Sequence, residues 1–185
     1  MKNYLIILLL FLSVGFSQQL IKGVDTDEDG TVKITYYKET QNGIEIVKYE
    51  GYYKDGQKKW EGTYKGVNFK GEPIKDGLWT WWKWNGQKKK EGSYKDGEKD
   101  GLWTLWYENG QKKSESTYKD GEKDGLLTRW YENGQKEIEW TWKDGKKEGL
   151  FIKWYENGQK NSEYTFKDGK LISSKNWFSD GSVWE

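Results

Sequence analysis
The chain has 185 residues, 31 of them basic and 30 acidic, with 13 Trp, 13 Tyr and 23 Gly but neither Cys nor His. Those absences exclude a disulfide framework, a thiolate nucleophile, a Ser-His-Asp triad and imidazole metal ligands. The near-neutral balance with a single Arg, Arg129, argues against nucleic acid as a partner, because that needs a basic surface, and a chain without Ala that is rich in Gly, Trp, Tyr and Thr is not mainly helical.

Residues 1–17 read as a cleavable export signal. A short basic start at Lys2 precedes the apolar run Leu5 to Leu12, and small residues stand at Gly15 and Ser17. The run is shorter than the roughly 20 apolar residues of a spanning helix, so no integral membrane segment is expected after cleavage. Cleavage after Ser17 removes one Lys and no acid, which leaves 30 basic and 30 acidic residues. The expected address is periplasmic or secreted.

Residues 18–46 form an acidic segment with capping strands expected near 31–40 and 44–53. Within it, Asp25, Asp27 and Asp29 occupy the first, third and fifth positions of a calcium loop, with Gly30 at the sixth. The twelfth position is Tyr36, where a bidentate Glu belongs. The bland reading is an acidic turn; the sharper one is a calcium site lacking its closing ligand. No other cofactor is suggested.

From residue 47 the chain repeats. Gly77, Gly101, Gly125 and Gly149 are spaced by 24 residues, as are Gly86, Gly110, Gly134 and Gly158, and Gly97, Gly121, Gly145 and Gly169. Three interleaved series with one period imply a repeat architecture. A degenerate repeat with an insertion around 66–73 covers 47–76, four regular repeats cover 77–172, and a closing hairpin covers 173–185.

Each unit reads as two strands. Asn109-Gly110 is expected to make a type I′ hairpin turn, and Lys119-Asp120-Gly121 turns the chain into the next unit. Pairing about Asn109-Gly110 sets Trp106 opposite Lys113, Thr104 opposite Glu115 and Gly101 opposite Tyr118. The face with Leu102, Trp106 and Glu115 recurs nearly unchanged and is expected to be the packing surface. The face with Trp103, Leu105 and Tyr107 varies between units.

The run Tyr118-Lys119-Asp120-Gly121 to Gly125, followed by an aromatic strand and Trp130-Tyr131-Glu132-Asn133-Gly134, resembles MORN-type repeats in their bacterial variant form, over about 47–172. That resemblance implies an all-β fold: an elongated single-layer antiparallel sheet of consecutive β-hairpins in 24-residue units. It also implies an interaction scaffold without catalytic residues. Relatives of this kind often carry antitoxin labels, a role that sits badly with an export signal.

The residues lead to the same function class. Paired acids such as Glu137 and Glu139 lie beside Lys on open strands, with none of the deep cleft that a two-carboxylate hydrolase needs. The chain is therefore read as a non-enzyme. Another protein is the expected partner, with an envelope glycan as the alternative. The candidate contact strip is Trp79, Trp81, Trp103 and Tyr107 on the variable face, since exposed Trp and Tyr serve both kinds of partner.

Overall fold
A computed structural model describes residues 24–26, 32–41 and 44–184, with side chains from residue 47. The described residues contain strands and turns and no helix. In chain order the strands are β1 (Val24–Thr26), β2 (Val32–Gln41), β3 (Ile44–Tyr52), β4 (Lys58–Val67), β5 (Pro73–Trp82), β6 (Lys88–Lys95) and β7 (Glu98–Trp106). They continue with β8 (Lys112–Lys119), β9 (Glu122–Trp130), β10 (Lys136–Lys143), β11 (Lys146–Trp154), β12 (Lys160–Lys167) and β13 (Lys170–Asn176).

The strands follow one another across the sheet in chain order, as consecutive hairpins should. The insertion lengthens the β4–β5 hairpin, with Val67 paired to Pro73. By its contacts the chain divides into two compact units. One runs to Gln87 and includes Tyr94–Gly97; the other comprises Lys88–Ser93 and the residues from Glu98 onward.

The turn at Asn109-Gly110 is not the expected type I′ turn. At Asn109-Gly110 the Gly110 N–H donates to the Tyr107 carbonyl at 3.1 Å and the Tyr107 N–H to the Gln111 carbonyl at 2.9 Å. Only Gly110 has positive φ, at 85°. That is a three-residue loop ending in a left-handed glycine. The type I′ turns are the Asp-Gly pairs that begin at Asp96, Asp120, Asp144 and Asp168: Asp120 and Gly121, for example, have φ of 47° and 83°, and Lys119 pairs with Glu122 across them. Asp tolerates the left-handed region better than most residues with a β-carbon.

The register follows the expected one from Gly101↔Tyr118 to Leu105↔Ser114, then slips so that Trp106 faces Lys112 and not Lys113. The extra residue is the bulge that the longer loop demands. A second slip falls between Ser116 and Tyr118 on the β8–β9 side, where Gly125 stands in the bulged strand.

Hydrogen bonds along both rims join successive repeats. At the Asp-Gly rim, the Gly121 N–H donates to the Lys99 carbonyl at 2.9 Å and Gly145 to Lys123 at 3.1 Å. At the other rim, the Tyr107 hydroxyl donates to the Trp130 carbonyl and Tyr131 to that of Trp154, each at 2.7 Å. The amide of Asn109 donates to the Glu132 carbonyl at 3.0 Å, while its oxygen accepts from the Gln111 N–H. The residue expected to enforce a left-handed turn works instead as a bridge between repeats.

Candidate functional site
The burial of the two faces also reverses the expectation. Trp79 and Trp103, on the variable face, are each only 2% exposed, whereas Leu102, Leu126 and Leu150, on the recurring face, are 54%, 49% and 44% exposed. The reason is steric. A β-carbon at Gly62 would overlap the Trp79 indole, and one at Gly92 would overlap that of Trp103. A strand glycine thus lets each indole lie down across the neighbouring strand. Its N–H then reaches a backbone oxygen, that of Thr63 for Trp79 and of Ser93 for Trp103, each at 3.0 Å.

A lysine closes over each ring. The Lys75 ammonium stands 4.7, 5.4 and 4.9 Å from the ring centres of Trp79, Trp81 and Tyr94. Burial lowers its pKa and raises that of Tyr94. In the second unit, Lys99 stands 4.5 Å from Trp103 and 4.7 Å from Tyr118. These contacts favour the ammonium against the ring faces.

The expected contact strip therefore does not present four open rings. Trp79 and Trp81 lie in the first unit, with ring centres 5.6 Å apart. Trp103 and Tyr107 lie in the second. Trp79 and Trp103 have no ring face to offer a partner, while Trp81 and Tyr107 are half-buried and the Tyr107 hydroxyl is bonded to the next repeat. Gly62 and Gly92 were the signal available in the sequence, because later repeats carry Ser116, Trp140 and Tyr164 at the Gly92 position. Of the calcium candidates, Asp25 stands in the backbone of β1, paired with Ile34; Asp27 and Asp29 lie outside the described residues. Among the described residues no group of three or more acids is placed to hold a metal ion.

On the recurring face β6, β8, β10 and β12 each carry a Lys-Glu pair: Lys88–Glu91 and Lys112–Glu115 at 2.6 Å and Lys160–Glu163 at 2.7 Å, with Lys136–Glu139 equivalent. Lys88 also sits 5.6 Å from the Trp106 ring centre, and Lys136 sits 5.7 Å from that of Trp154. The charges and indoles of this face thus engage one another. The leucines beside them do not have such cover.

The variable face of the second unit has one feature that the sequence reading missed. A cross-strand row runs Trp103, Ser116, Leu127, Trp140, Phe151, Tyr164. Around its far end, Trp140, Lys147, Phe151, Tyr164, Phe166 and Leu171 line an open depression of about 260 Å³. The signal was the migration of the Trp from the odd strand, as Trp103, to the even strand, as Trp140.

A sequence model of the family described as "MORN repeat variant" matches four consecutive segments, 75–96, 99–120, 123–144 and 147–168. No curated protein matches the chain.

Proposed function
The chain belongs to the MORN repeat variant family, and from that premise we propose that it is an exported, non-enzymatic scaffold that binds another protein through the leucine column of its repeats. The carrying observation is the exposure of Leu102, Leu126 and Leu150, one per repeat on the same face. Two strands per repeat space them by roughly 10 Å. Leucines held open by a rigid sheet, beside a column of Lys-Glu pairs, suit a protein partner with a long apolar edge and a polar rim.

A non-enzymatic role is supported by the pairing of the acids. Glu137 is bound to Arg129 at 3.2 Å and Glu139 to Lys136. Export rests on residues 1–17, with a mature chain starting at Gln18.

The test is a triple substitution, Leu102→Ser with Leu126→Ser and Leu150→Ser. Half-exposed side chains contribute little to folding, so the melting temperature should hardly move. A partner cross-linked to the wild-type chain in envelope extracts should be lost from the variant. Retention of the same partner by the triple variant would overturn the reading.

A further inference from the structure
We propose that the depression lined by Trp140, Lys147, Phe151, Tyr164, Phe166 and Leu171 binds a single acidic sugar ring, a pyranose carrying a carboxylate. The site is on the variable face and independent of the leucine column.

Size sets the first limit. A volume of about 260 Å³ lies just under the range of drug-sized pockets and suits one ring. The walls set the second. Trp140 and Phe166 are nearly parallel, 17° apart in plane with centres 6.4 Å apart, while Phe151 meets Trp140 edge-on at 85° and 4.9 Å. Flat aromatic faces of this kind receive the C–H face of a pyranose.

The lysine sets the charge. Lys147 stands 4.6 Å from the centre of Trp140 and 5.1 Å from that of Phe166. Among the described residues no carboxylate lies within ion-pair distance of it. It is the one charged group in the lining, and a ligand carboxylate would complete a charge-assisted hydrogen bond there.

The indole surroundings differ between the repeats. In Trp103 the ring lies over Gly92 and its N–H reaches Ser93. Trp140 is flanked by Leu127 and Phe151 and stacks on Trp142 at 4.9 Å. It has no small neighbour to lie across. The indole N–H groups of Trp140 and Trp142 are both buried without an acceptor, and an unmet buried donor is costly enough to need an explanation. Both nitrogens are shielded from solvent and Trp142 is outside the lining, so the polar contact of the site falls to Lys147 while Trp140 offers ring surface.

The experiment uses the whole chain with methyl β-D-glucuronide, methyl β-D-glucoside and benzoate, read by tryptophan fluorescence and by indole N–H shifts in NMR spectra. The expected result is saturable glucuronide binding in the millimolar range, at least about tenfold tighter than the glucoside, with a shift of the Trp140 indole N–H. Lys147→Gln should remove the preference for the glucuronide, and Trp140→Phe should weaken both sugars. Absence of saturation, equal binding of the two sugars, tighter binding of benzoate, or an unaltered preference in a folded Lys147→Gln variant would each overturn the proposal.

Discussion
The indole of Trp103 lies against the α-carbon of Gly92, in a place that a β-carbon would occupy. Two repeats on, the equivalents are Phe151 and Trp140; between them stands the pair Leu127 and Ser116. Each pair divides its bulk between an odd and an even strand, and a larger residue on one side accompanies a smaller one on the other in the first two pairs.

This relationship predicts coupling. Gly92→Ala should destabilise the protein by about 1–3 kcal/mol, as overpacking does. In a Trp103→Leu background the same change sets a leucine beside a small side chain, close in size to the Leu127–Ser116 pair, and should be nearly harmless. A double-mutant cycle on thermal melts should give a coupling above about 1 kcal/mol. Additive effects would show that the indole moves aside freely.

The two turn types should respond oppositely to glycine. At position 120 a left-handed residue is required, so Asp120→Gly should be close to neutral and Asp120→Val should cost about 1 kcal/mol or more. At position 109 the side chain bridges two repeats. Asn109→Gly should therefore lose stability, by about 1 kcal/mol for the hydrogen bonds removed. Chemical denaturation of the three variants distinguishes the cases.

The tyrosine rim predicts a modular loss. Tyr131→Phe removes one hydroxyl donating to the Trp154 carbonyl and should cost about 1 kcal/mol. Since repeats couple to their neighbours, hydrogen exchange should rise at the joint between these two repeats and stay unchanged near β13.

Alkali should unfold the protein through the same rim. Burial, followed by the charge of Glu137, raises the pKa of Tyr107 and Tyr131 above the ordinary 10.0. Partial burial works against the charge of Lys58, but hydrogen bonds to Glu50 and Glu61 outweigh it and hold its pKa well above the ordinary 10.5. Groups with raised folded pKa values stabilise fully below their unfolded values, and that contribution fades as pH rises through the folded ones. Lys75, lowered by burial, acts in the opposite sense up to 10.5. Tyr64 and Tyr94 are raised by burial as well, so with five groups of one sign against one melting temperature should fall above about pH 10. Tyr107→Phe with Tyr131→Phe should flatten that fall; an unchanged slope would remove the tyrosines from the explanation.

The repeat, its period and the pairing of Gly101 with Tyr118 were legible in the residues alone, because hairpin order and side-chain alternation are set by contacts a few positions apart. So were the positions of both turns. Their types were not: Asn109 and Asp120 share the same local propensity, and Asp55 and Asp180 take the same three-residue loop as Asn109, so the register of the flanking strands, and not the turn residue, made the choice. Nor was the buried face legible. Alternation says which side chains share a side, but Leu102 looks like core and lies open, while Trp103 looks like a contact residue and lies under Lys99. What decided this was the residue across the strand, a glycine at 92 with room for an indole, and the same rule placed the open aromatic depression where Trp140 has no such neighbour.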